Sequence, residues 1–117
     1  MKIKITVGSA VLTATLIDNP SARDFLTLLP VTVTMHEFRN REKYGRLPRT
    51  LVRGGIETNA YEVGDVVYSP VRSNLAFFYA TDIRGTDVPV IVIGKIDSGL
   101  EAFETIRGTI EARVELE

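Results

Sequence analysis

The side chains able to do chemistry are few and unevenly placed. His36 is the sole histidine and cysteine is absent, which removes thiol catalysis, disulfide scaffolds, iron–sulfur ligation and any metal site built on two histidines or on thiolates. At a predicted strand end His36 can act as an isolated acid or base or simply hydrogen-bond a neighbour. Asp18, Asp24, Asp65, Asp82, Asp87 and Asp97 fall at predicted turns or caps, where a carboxylate ordinarily accepts backbone N–H groups. Arg23 and Asp24 are adjacent, so on a helix they point to different faces; Asp24 is read as a cap and Arg23 as a tie to a loop.

Two clusters suit recognition better than catalysis. Between Arg39 and Arg53 six basic residues (Arg39, Arg41, Lys43, Arg46, Arg49, Arg53) face Glu42 alone, with Tyr44 among them. Such a segment can hold a phosphate, a carboxylate or an acidic peptide, or be a solvated loop. The second cluster is aromatic: Tyr68, Phe77, Phe78 and Tyr79. Alternation along a strand sends Phe77 and Tyr79 to one face and Phe78 to the other, so one set is core and the opposite set can line an external groove of the kind that takes small molecules or peptides. The "RGG" at 53 to 55 lacks the spacing and the strand-to-helix context of a phosphate-binding loop.

Composition bounds the frame that carries these groups. A chain of 117 residues with 44% hydrophobic and 25% charged residues can bury one core as a single domain, 1–117. A net charge of −1 gives no electrostatic footprint for nucleic acid. The balance is nevertheless uneven, because residues 97 to 117 carry six acids against Arg107 and Arg113. The start "MKIKITVGSAVLTATLIDNP" has no uninterrupted apolar run, and nothing reaches the length of a membrane helix. A cytoplasmic location is the default, without membrane association.

The elements follow from period and punctuation. Ile3, Ile5 and Val7, then Leu12, Ala14 and Leu16, alternate around a Gly-first turn at Gly8–Ser9, predicting a hairpin. In "DNPSARDFLTLLP" Ala22, Phe25, Leu26 and Leu29 repeat at helical spacing. The cap is either Asn19 followed by Pro20, or Ser21 with Asp24, and Pro30 ends the helix. At about two turns this helix needs a sheet to bury its apolar stripe. "VTVTMH" (31–36) is a strand, and 37–64 reads as a long loop with a short strand near Leu51, the place to look for a site. "GDVVYSP" (64–70), "NLAFFYA" (74–80) and "VPVIVIGKI" (88–96) are strands, the last apolar enough to be buried on both faces. "DIRGTD" turns into it. A capping box of Ser98 and Glu101 predicts a second short helix around Leu100 and Phe103, and Ile110, Ala112, Val114 and Leu116 alternate in a final strand. The expectation is mainly β: seven or eight short strands in a closed or nearly closed barrel, with two short helices.

Three segments carry a family resemblance. Asn19 to Pro30, Gly64 to Pro70 with Asn74 to Tyr79, and Gly94 to Gly99 together resemble the small bacterial cyclophilin-like domains, with "VRS" before Asn74 where an aromatic and a glycine would be expected. The resemblance implies an eight-stranded cyclophilin-like barrel with helices capping its ends. Cyclophilins that isomerise prolyl bonds place an Arg in F-H-R and follow it with F-M-x-Q-G-G-D; here "HEFR" offers Arg39, but the Phe, Met and Gln partners are absent.

The reading that results is a binding module without efficient prolyl isomerase activity, holding a small anionic or peptide-like ligand through Tyr44, Arg46, Arg49, Tyr68, Arg72, Asn74 and Phe78. No cofactor or metal is expected. The alternatives are a weak isomerase using Arg39, another activity using His36, or a structural domain that is a monomer or a homodimer, the dimer pairing through Ile110, Val114 or "VIVIG".

Overall fold

The computed structural model describes residues 1–81 and 84–117; Asp82 and part of the predicted "DIRGTD" turn lie outside these. Among the described residues the order is β1 (Lys2–Val7), β2 (Ala10–Leu16), α1 (Pro20–Leu26), β3 (Val31–Phe38), β4 (Glu42–Arg46), β5 (Glu57–Thr58), β6 (Asp65–Ser69), β7 (Asn74–Phe78), β8 (Val90–Ser98), α2 (Ala102–Thr105) and β9 (Ile110–Leu116). Eight strands close into an antiparallel barrel in the order β2-β1-β9-β3-β4-β7-β6-β8, with β8 returning to β2. The two-residue β5 pairs beside Val90 and Ile91 of β8.

Alternation fills the interior as the sequence implies. Ile3, Ile5, Leu12, Ala14, Val66, Tyr68, Leu75, Phe77, Ile91, Ile93, Ala112 and Val114 are all sealed from solvent. The predicted turn at Gly8 is present, with φ +59. α1 plugs the end reached by the turn between β6 and β7: Ala22 and Phe25 are buried, with Leu26 and Leu29 packed against the same core. Burying Phe25 is worth roughly 1.5–3 kcal/mol, more than a two-turn helix could supply by itself.

The cap of α1 is the first of the two alternatives. Asn19 Oδ1 accepts the Ala22 N–H at 2.8 Å, and Pro20 opens the helix. Ser21 is instead buried and clips the following loop, donating to the Val52 carbonyl at 2.6 Å and accepting from the Gly54 amide at 2.9 Å. At the opposite end α2 brings Phe103 into the barrel, stacked 5.9 Å from Phe77. The predicted Ser98–Glu101 box does not form. No side chain caps α2, and Ser98 ends β8 with its hydroxyl 2.7 Å from that of Thr13.

The main departure from expectation is β4, which the sequence reading placed inside a loop. Its inward residues are Lys43 and Gly45, opposite Phe77 and Leu75, so no apolar alternation marks it. Lys43 is 1% exposed and satisfied inside the barrel, donating to the Gly108 carbonyl at 3.1 Å and lying 3.2 Å from Glu37 Oε1. Gly45 is required by proximity, since a Cβ there would sit 2.2 Å from the Thr34 carbonyl oxygen. A tight turn joins β3 to β4, with Arg39 and Asn40 at φ 57 and 55. The Asn40 amide donates to Glu37 Oε2 at 2.7 Å. The strands proposed for homotypic pairing are occupied on both edges, β9 by β1 and β3 and β8 by β6 and β2, and Ile110 and Val114 face the core.

Candidate functional site

The outer face of β3, β4, β7, β6 and β8 is organised in three rows set by strand register. The first runs Phe38, Glu42, Phe78; the second His36, Tyr44, Ala76, Val67, Val92; the third Arg46, Asn74, Ser69. Val67, Ala76, Phe78 and Val90 are buried in a small apolar cluster of their own, outside the barrel, with Tyr44, Tyr61 and Val92 packed on it. This explains why β6 and β7 are covered on both faces, a burden that a solvated outer face would not carry.

Two segments provide the cover. Tyr61 stacks on Phe78 with ring centroids 4.0 Å apart. Arg41, only 3% exposed, donates through its guanidinium to the carbonyls of Arg84 and Gly85 at 3.2 and 3.3 Å and to Glu42 Oε1 at 3.0 Å. The same cation lies 5.1 Å from the Tyr61 ring, 5.5 Å from Phe38 and 5.7 Å from Phe78. A planar guanidinium suits this place, because it can stack on rings and fork to carbonyls at once. The chain from Arg84 to Val90 is thereby drawn back across the outer face, from the first row toward the third.

Between this cover and the sheet lies a concave pocket of about 330 Å³. Tyr44, Ala76, Val67 and Phe78 line it from the sheet and Val88 and Val90 from the covering segment, while Ser69, Asn74 and Arg72 lie toward the third row. The hydroxyl of Ser69 is buried and has no hydrogen-bond partner among the described residues. Arg46 and Arg72 likewise make no ion pair among them.

The predicted site residues therefore separate. Tyr44, Arg72, Asn74 and Phe78 line the pocket together, and Arg46 stands beside Asn74 in the third row without lining it. Tyr68 lies in the sealed core, its phenol oxygen accepting the Leu51 amide at 3.0 Å. Arg49 is held at the α1 end, where its two terminal nitrogens donate to Asp24 at 2.9 and 3.0 Å. That pair, with the Val52 amide donating at 2.7 Å, lowers the Asp24 pKa to about 2. Asp24 thus ties helix to loop, the task foreseen for Arg23; Arg23 pairs with Asp18 on the surface.

Arg41, Glu42 and Ser69 are the functional candidates missed in sequence. The alternation Glu42, Tyr44, Arg46 would have exposed the outer face of β4 had that strand been recognised, whereas Arg41's contact with Arg84 and Gly85 leaves no local signal. Arg39 sits in the turn with its guanidinium 5.6 Å from the Phe38 ring. Near α2, Glu37 accepts the Tyr79 hydroxyl; burial and this carboxylate hold the phenol well above its ordinary pKa. Among the described residues no group of three His, Asp or Glu is placed to hold a metal ion, and no helix is long and apolar enough to cross a membrane.

A closed eight-stranded barrel with a helix at each end defines a cyclophilin-type architecture. The chain belongs to the Cyclophilin-like family, whose model matches residues 5–115. Among solved structures it is similar to the hypothetical protein AF2241 from Archaeoglobus fulgidus, with TM-score 0.79 and 21% identity over 100% of this chain and 95% of that one. It is also similar to McbB, solved in complex with tryptophan, with TM-score 0.74 and 18% identity over 98% of this chain and 44% of McbB. No curated protein matches the chain.

Proposed function

We propose that this domain is a binding module for a small molecule with an apolar, ring-like body, without efficient prolyl isomerase activity. The observation that carries the reading is the outer-face pocket, whose volume of about 330 Å³ and mixed lining of rings, aliphatics and a few polar groups have the form of small-ligand sites. The apolar second row receives the body, and Tyr44 offers a ring for it to stack on. Arg41 shapes the wall: its contacts to Arg84 and Gly85 hold the cover in place. Support of a general kind comes from McbB, 44% of which matches this fold and which was solved with tryptophan, a molecule of ring and charged backbone. A small molecule is favoured over a peptide because the covering segment borders the pocket, where a peptide needs an open groove. Arg39 of "HEFR" lies in the β3–β4 turn and does not line this pocket, so a protease-coupled assay on Ala-Pro peptides should show no rate above the uncatalysed one.

The test is an amide-resolved NMR titration with small aromatic molecules of either charge. Binders should shift the amides of Tyr44, Val67, Ala76 and Phe78, and Tyr44→Ala should weaken them roughly tenfold. Shifts scattered elsewhere, or none across the set, would remove the reading.

A further inference from the structure

Within this binding reading, on which the following rests, the pocket has a direction, and its polar end is built for one chemical group. The third row places Arg46, Asn74 and Ser69 side by side across β4, β7 and β6, and Arg72 projects from the turn that links the last two. Arg46 and Arg72 have no carboxylate partner among the described residues, although Arg49 and Arg53 nearby are both paired, with Asp24 and Glu57. Independently, the Ser69 hydroxyl is sealed from solvent, lines the pocket and has no partner. A buried hydroxyl without a hydrogen bond is disfavoured, and this one belongs to a residue that lines the pocket, so an occupant of the pocket is the partner open to it.

Two acids also line the pocket. Glu42 is in the first row and is engaged by Arg41, while Asp87 is an exposed residue of the covering segment and forms no ion pair with Arg46 or Arg72. One guanidinium, a side-chain amide and a hydroxyl line this end of the pocket, with Arg46 beside Asn74 just outside it, and all of them can donate to an oxygen.

We infer that the ligand is a small aromatic monocarboxylate, its ring on the Tyr44–Ala76–Val67 row and its carboxylate toward Ser69, Asn74, Arg46 and Arg72. The carboxylate accepts from the Ser69 hydroxyl and gains two unpaired cations, so charge sets orientation while the apolar row supplies contact area.

Indole-3-acetate and its neutral isostere indole-3-acetamide separate this inference from the pocket itself. The carboxylate should bind at least about tenfold tighter at low salt, with the preference shrinking as salt rises. Arg46→Gln with Arg72→Gln should abolish the preference, acetate affinity falling further than acetamide affinity until the two probes bind alike, and Ser69→Ala should weaken acetate several-fold. Because that hydroxyl has no partner to lose, Ser69→Ala should fold with an unchanged or higher Tm. Equal binding of the two probes, with shifts confined to the pocket amides, would overturn the carboxylate inference and leave the pocket reading standing. A preference that survives the double arginine variant would overturn the assignment of the polar end. If neither probe shifts the pocket amides, both readings fall together.

Discussion

The strands β4, β7 and β6 present two faces that obey different rules. On the inner face every polar group that enters the barrel is answered: Lys43 by the Gly108 carbonyl and Glu37, the Tyr68 phenol by the Leu51 amide. On the outer face the buried Ser69 hydroxyl has no answer among the described residues, and the exposed Arg46 and Arg72 have no counter-charge among them. Burial alone therefore does not mark core. The inner face is closed upon itself and serves stability, whereas the outer one leaves hydrogen-bonding capacity for something outside the chain.

Substitutions on the two faces should separate these roles. The largest effect falls inside: Phe77→Ala, which opens a cavity beside Phe103, should cost about 3–5 kcal/mol, read as a fall in denaturant midpoint. The outer Tyr44→Ala should cost far less stability and should act mainly on ligand affinity; equal losses would break the contrast. Next comes Tyr68→Phe. It strands the buried Leu51 amide and should cost about 1–3 kcal/mol with no change in probe affinity, and an affinity loss with intact stability would return Tyr68 to the site.

The smallest effect concerns Arg49, three positions along from Arg46. In the folded chain the Asp24 pKa lies near 2, below its ordinary value of 3.8. A depressed carboxylate pKa contributes stability that is fully present above the unfolded value and is lost as pH falls through the folded one. Stability of the native protein should therefore decline between about pH 4 and pH 2, and Arg49→Gln should flatten that decline without touching the pocket. An Arg46→Gln variant with the same acid profile as Arg49→Gln would show that the two arginines are not differently employed.

What the sequence disclosed depended on locality. Alternation in β1, β2, β3 and β9, the apolar runs of β6, β7 and β8 and the stripe of α1 were legible because the barrel interior is apolar there, and Phe77 and Phe78 divided by face as period two demands. β4 was hidden because its inward positions hold a lysine and a glycine, whose fitness depends on Glu37, Gly108 and Thr34, distant neighbours that no local pattern announces. The site was legible in part for the same reason. Tyr44, Arg72, Asn74 and Phe78 came from loop position and chemistry, but Arg41 acquires its place only when the 84–85 segment folds back. Tyr68 and Arg49 were drawn elsewhere by Leu51 and Asp24.

Closure of the barrel also has a history in time. β1 and β9 join Ile3 to Leu116 and Ile5 to Val114, among the most sequence-distant pairings the chain can make. A hairpin of β1 and β2 can form early from neighbouring residues, but its outer edge must wait for the last strand to be made and docked. Such non-local pairing places folding in the range of milliseconds to seconds. In a pulse-labelling experiment the amides that β1 donates across the seam to β9 should gain protection last, with the β1–β2 turn already formed. The final strand sets the moment at which the sheet stops having edges.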